Sequence, residues 1–192
     1  MKKTTLLYVI VLFTAASAYG QFNYEPSKEF PFGRPNPKAP QQIKDYKALI
    51  GSCECKSQAR KPDQTWAKPV NMIWNWKYIM NGMAVQDNTL KEDGFHSGSI
   101  RQYDKDSLRW NVHYYTTRRA SSVLSVWNGN TNTEGNIVLY RNQKAPNGTE
   151  GFYRLTFYDI SKKGYKWVGE WTDKTESVVF ATWKIECVRK EN

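Results

Sequence analysis

The chain has 192 residues, a formal net charge of +10, 40% hydrophobic and 15% aromatic residues, and eight tryptophans. That length and apolar content suit one core with appendages and exclude a chain disordered throughout. The basic residues fall in short pairs, Arg118-Arg119, Lys162-Lys163 and Arg189-Lys190, with no longer block, so the charge bears on solubility and gives no reason to expect nucleic acid as a partner.

Residues 1–20 read as a signal peptide: Lys2-Lys3 form a basic start, Leu6 to Phe13 an apolar stretch, and Ala18-Tyr19-Gly20 a small-x-small cleavage site before Gln21. Its removal lowers the charge from +10 to +8. The apolar run is short for a bilayer and no other stretch approaches membrane length, so a secreted or periplasmic protein without membrane insertion is expected. Residues 21–42 hold Pro26, Pro31, Pro35, Pro37 and Pro40. Proline lacks a backbone donor and fixes φ, which rules out a helix interior or central strand and leaves an extended arm or linker. Its rings, Phe22, Tyr24, Phe30 and Phe32, could pin it to its own domain or dock it on a protein partner. The barrel domain proper is assigned to 43–192. It opens with Ile43, Tyr46, Leu49 and Ile50 at helical spacing and Gly51 as a stop, which predicts one short helix.

From Cys53 onward the pattern switches to short alternating runs rich in β-branched and aromatic residues. Strands are predicted near 52–60, 68–80, 82–90, 96–104, 107–117, 121–128, 134–143, 150–159, 163–172 and 177–189, cut by turn chemistry at Asn81-Gly82, Asp93-Gly94, Asp104 to Asp106, Asn128-Gly129-Asn130, Asn147-Gly148 and Lys163-Gly164. About ten consecutive strands without helical crossovers make a meander, and a meander this long is best stabilised by closing on itself, because closure removes both edges. The predicted fold is therefore all-β, an up-and-down antiparallel barrel.

Alternation sorts the faces. Trp74, Trp76, Tyr78 and Met80 share one side of their strand; so do Leu108, Trp110, Val112 and Tyr114, then Tyr165, Trp167 and Trp171, and finally Val179, Ala181, Trp183, Ile185 and Cys187. This apolar side belongs inside a free-standing barrel. Its rings, with Trp127, either wall a lumen that takes a ligand or plug the barrel. The candidate ligand-binding set is Trp74, Trp76, Tyr78, Trp110, Tyr114, Trp127, Arg154, Trp167, Trp171 and Trp183, Arg154 being included as a charged residue embedded in an aromatic run, like Glu170.

Three cysteines remain. Cys53 and Cys55 sit on one strand face and either can pair with Cys187, leaving one thiol over. A bridge of this kind would join the first strand to the last. No paired C-x2-C spacing supports zinc, no phosphate-cradling loop or nucleophile elbow appears, and His96 and His113 have no informative acid partner, so no catalytic residues, metal or cofactor are assigned.

The stretches "LIGSCECKS", "NWKYIMNGMAVQ", "GFHSGSIRQYDKDSLRWNVHYY", "GNIVLYR", "FYRLTFYDISKKGYKWVGEW" and "TWKIECVRK" resemble the lipocalin-like members of the calycin superfamily, in particular exported bacterial proteins of a domain family with few assigned functions. The resemblance covers about 46–190 and implies a β-barrel that binds a small hydrophobic or planar molecule. Two features depart from the pattern. The tryptophan usual two residues after the first glycine is replaced, since Ser52 and Cys53 follow Gly51; Cys53 opposite Cys187, with Arg189 nearby, would substitute a covalent link for that packing. No histidine follows His113, so the haem ligation of related barrels is not implied. The sequence thus favours binding of a small hydrophobic or aromatic molecule. The alternatives are an isomerase or hydrolase using Arg154, Glu170, His113 or a tyrosine in the same cavity, and an accessory protein acting through the arm.

Overall fold

The computed structural model describes residues 22–189, so the signal-peptide reading lies outside the described residues. Ten strands follow one another: β1 (Gly51–Ala59), β2 (Val70–Ile79), β3 (Ala84–Lys91), β4 (Ser97–Asp104), β5 (Arg109–Thr116), β6 (Ser125–Thr131), β7 (Ile137–Asn142), β8 (Gly151–Ser161), β9 (Gly164–Asp173) and β10 (Val179–Arg189). Each pairs antiparallel with its sequence neighbours, and β10 returns to β1 to close the barrel. The all-β up-and-down barrel is thus observed, and closure leaves no strand edge unpaired for aggregation.

At the closing seam Cys55 lies directly opposite Cys187, and these two form the disulfide; Cys53 is opposite Arg189 and stays a buried free thiol. The expectation of Cys53 opposite Cys187 is therefore corrected by two residues of register, which keeps the same face. Arg189 instead reaches the start of the barrel, donating from Nη1 to the Ile50 carbonyl at 2.8 Å and from Nη2 to that of Ala48.

The predicted helix is a single 3-10 turn over Gln41–Lys44 followed by turns, yet the predicted spacing still buries Ile43, Tyr46 and Leu49. These three side chains enter one end of the barrel and join its core. The proline-rich arm is pinned to its own domain rather than left as a tether. Phe32 O accepts the Tyr78 N–H at 2.9 Å, Gly82 O accepts the Asn36 N–H at 3.1 Å, and Asn81 Oδ1 accepts the Tyr24 N–H at 3.2 Å. Gly82, at φ +75°, is required there: a Cβ would sit 2.4 Å from Arg34 O and 2.6 Å from Asn36 N.

Three details of the alternation are corrected. Met80 and Leu108 occupy turns at φ 55° and 52° and are exposed, so neither belongs to the inner face. A register shift between Ala181 and Trp183 turns Val179 and Ala181 away from the inner phase that Trp183, Ile185 and Cys187 keep. Gly129 is not a turn residue but lies within β6, where a Cβ would meet Val138 O at 2.0 Å; strand β6 starts later than predicted and the chain reverses at Asn132, whose Oδ1 accepts the N–H groups of Glu134 and Asn136.

Candidate functional site: a lumen open at one end

The inner face is used in two ways along the barrel axis. At the end entered by the N-terminal segment, Tyr46 stacks on Trp76 (5.6 Å between centroids) and meets Trp110 edge-on (4.8 Å), while Trp76 donates to Tyr165 Oη at 2.9 Å and Trp110 to Asp45 Oδ2 at 3.0 Å. This end is packed shut. Towards the other end the same strands leave a cavity of about 270 Å³, walled by Trp74, Trp127, Trp167 and Trp183 with Tyr114, Tyr153 and Phe157. Among the described residues, the loops at this end are exposed or half-buried and none joins the core. A second depression shares Thr89, Ser97, Tyr114 and Ser125 with the cavity and runs under the loop between β5 and β6, so that loop rims the mouth.

The floor is polar. Asp87 on β3 accepts from Trp74 Nε1 at 2.8 Å, from Ser99 Oγ at 2.5 Å, and from the guanidinium of Arg101. The Arg101 guanidinium carbon sits over the Trp76 ring at 4.5 Å and within cation–π range of Tyr46 at 5.2 Å. Burial is the largest single influence and works against its charge, but Asp87 and Tyr46 together more than offset it and hold the guanidinium above its ordinary pKa. A buried pair survives desolvation only when hydrogen bonds take up the carboxylate's remaining lone pairs, and Trp74 and Ser99 do so here.

Two further cations line the cavity. Lys91 is matched by Asp93 of the β3–β4 loop at 3.0 Å. Arg141 on β7 stacks over Trp127 at 4.3 Å and donates to Gln143 Oε1 at 2.9 Å; burial lowers its pKa. Beside it Tyr153, its cross-strand neighbour, shares a hydrogen bond with Thr182 Oγ1 at 2.7 Å, and burial pushes its phenol up. Trp183 donates to Ser57 Oγ at 2.7 Å, whereas the buried Trp127 N–H has no partner.

Of the sequence-derived candidates, Trp74, Tyr114, Trp127, Trp167 and Trp183 border the cavity. Trp76, Tyr78 and Trp110 pack the closed end, because alternation repeats along a strand without marking depth. Trp171 sits on the inner phase near the strand end, its N–H spent on Gln143 O at 3.0 Å. Arg154 pairs across strands with Glu170, the opposite phase from Tyr153 and Trp171, and its guanidinium is held by Glu170 at 2.9 Å and by Glu176; both it and Glu170 are outer-face residues. His113 pairs with Ile100 on the outer phase and His96 Nδ1 accepts the Lys91 N–H at 3.2 Å, so the two histidines do not face each other. Sequence reading missed Asp87, Ser99, Arg101, Arg141 and Tyr153. The signal was present: each falls on the inner parity of a strand whose neighbours were placed correctly, so a polar residue on that parity could have been read as lumenal. Among the described residues no three His, Cys, Asp or Glu side chains come together as a metal site.

No protein-family model matches the chain, and comparison with curated proteins finds no match either. The fold and site therefore define a class by geometry: a closed ten-stranded antiparallel barrel with one end packed and one end hollow, an architecture compatible with lipocalin-like proteins. Its cross-strand disulfide fits an oxidising compartment, and among the described residues no helix is long and apolar enough to cross a membrane.

Proposed function

We propose that this protein is an exported, lipocalin-like carrier that binds a small hydrophobic or planar aromatic molecule in its lumen. The observation that carries this reading is the 270 Å³ cavity bordered by four tryptophans, which the packed end does not extend into. Concave sites lined by aromatic rings with a few placed polar groups are the usual form of small-molecule sites. Scaling from a cavity of roughly 150 Å³ that accepts benzene, a space of about 270 Å³ takes about eleven non-hydrogen atoms, one or two fused rings rather than a long acyl chain.

An isomerase or hydrolase in the same cavity gains less support. Asp87 is taken up by three donors, and Arg154, Glu170 and His113 face outward. An accessory role through the arm is also less favoured, since Arg34 stacks on Phe30 at 4.3 Å and on Tyr24 at 5.4 Å, and the arm's backbone is bound to the β2–β3 hairpin. Native mass spectrometry of protein purified from its own source should show a retained mass of the size stated. Ring-sized probes should quench tryptophan emission and raise the melting temperature in proportion to occupancy. If no retained mass is found and no probe of this size changes either signal, the carrier reading is wrong.

A further inference from the structure

The charges around the lumen do not balance. Three cations border it, Lys91, Arg101 and Arg141, and one carboxylate, Asp87. Asp87 is committed to Arg101, and Lys91 is committed to Asp93 outside the cavity. Arg141 has no carboxylate partner among the described residues; its guanidinium donates instead to the neutral amide oxygen of Gln143. It is half-buried, lying against the face of Trp127. A guanidinium cannot shed its proton at ordinary pH, so its partial desolvation is a cost that the Trp127 face and the neutral Gln143 amide offset only in part. A guanidinium is also a planar fork with donors matched to a carboxylate, and a charge-assisted pair formed away from bulk water is stronger than a neutral hydrogen bond.

The position of Arg141 sets the geometry of what would satisfy it. It comes from the end of β7 nearest the mouth, facing Tyr153 across the β7–β8 ladder, while Trp74, Trp167 and Phe157 lie deeper on the same inner face. A ligand entering ring first would place its aromatic part among those side chains and leave its polar end at the level of Arg141. The far floor offers no competing cation, because Arg101 is neutralised there.

Resting on the carrier reading above, we propose that the lumen selects aromatic monocarboxylates of about eleven non-hydrogen atoms, with Arg141 as the residue that receives the carboxylate. Neutral analogues of the same shape would bind through the rings alone, and cationic ones would be disfavoured by the excess of positive charge around the cavity.

The test uses isothermal titration of the mature protein with three matched probes: 3-phenylpropionate, 3-phenylpropan-1-ol and 3-phenylpropylamine. The acid should bind about tenfold more tightly than the alcohol, and the amine more weakly than both. In Arg141→Met the ratio of acid to alcohol affinity should fall to near one, and in Arg141→Lys it should stay above one. Binding of the alcohol by Arg141→Met also certifies that this variant is folded. Equal binding of acid and alcohol to the unaltered protein, or an acid-to-alcohol ratio that survives Arg141→Met, overturns the proposal while leaving the carrier reading intact. Binding of none of the three overturns both.

Discussion

The two ends of this barrel are built from the same strands and the same kinds of residue, yet one is solid and the other hollow. Along β2, Trp76 and Tyr78 are sealed in the core, while Met72 and Trp74, one or two pleats away, border the cavity. The cause is not in β2. Tyr46, Ile43 and Leu49 fill the packed end from a segment that precedes the barrel, whereas the loops at the opposite end cross the rim without inserting. A ring on the inside of a closed sheet is therefore core or cavity wall according to what another part of the chain brings to it. The second lesson concerns polarity. At the packed end Trp76 donates to Tyr165 and Trp110 to Asp45; at the hollow end Trp74 and Trp183 have partners too, but among the described residues Trp127 has none and Arg141 has no carboxylate partner. The packed end also holds two buried hydroxyls, those of Tyr46 and Tyr78, without a partner among the described residues, so the ends differ in the unpaired charge of Arg141 rather than in the number of unsatisfied groups.

The sharpest way to break this comparison is to delete one tryptophan from each end. Trp110→Ala should cost about 3–5 kcal/mol in a urea titration, since it removes a fully enclosed ring and strands Asp45. Trp127→Ala should cost roughly half as much, because one side of that ring already borders open space. It should instead weaken binding of ring-sized probes. Equal losses of stability would mean that the hollow end is packed as tightly as the other.

Next in size is the disulfide, which spans 132 residues and lies between the two ends. Its removal by Cys55→Ala with Cys187→Ala should lower stability by about 2–4 kcal/mol, mainly by freeing the unfolded chain. Probe affinity should hold, because neither sulfur borders the lumen. A large loss of affinity with little loss of stability would show that the bridge shapes the cavity rather than the unfolded state.

The last effect is expected from alkali. Burial pushes Tyr46 and Tyr78 from 10.0 to about 12, and the Tyr78 hydroxyl is enclosed without a partner. Their neutral forms are the ones the fold favours. The contribution is thus complete below pH 10 and is lost as pH rises from 10 towards 12, where unfolded phenols ionise first. Tyrosinate absorbance followed together with unfolding should show these phenols titrating late and in step with loosening of the packed end. Early titration without unfolding would contradict the burial.

The fold was legible because its signals are local and repeated. Period-two alternation and turn residues placed ten strands in order, and closure followed from the absence of crossovers. What escaped was non-local. Whether Trp76 and Trp110 face a void depends on Tyr46, which lies 30 and 64 positions away, and no feature of their own strands reports it. The bulge in β10 reversed the phase of Val179 and Ala181 because one extra residue shifts every side chain before it to the other face. Arg154 was favoured over Arg141 for being flanked by aromatic residues in sequence, but parity, not neighbourhood, decides which of the two points inward. Asp87 and Arg101 were passed over because charged residues were read as outer-face markers, and in this barrel the pair is internal.

One consequence of the closing seam concerns the leftover cysteine. Cys53 has no exposed surface, burial raises its pKa, and it sits two residues from a bridged partner on the same face of β1. No alkylating reagent reaches it unless β1 parts from a neighbour. The rate at which such a reagent consumes this single thiol is thus a built-in clock for how often the wall of the barrel breathes, and slowing of that clock by a guest would count the moments at which an occupied barrel stays shut.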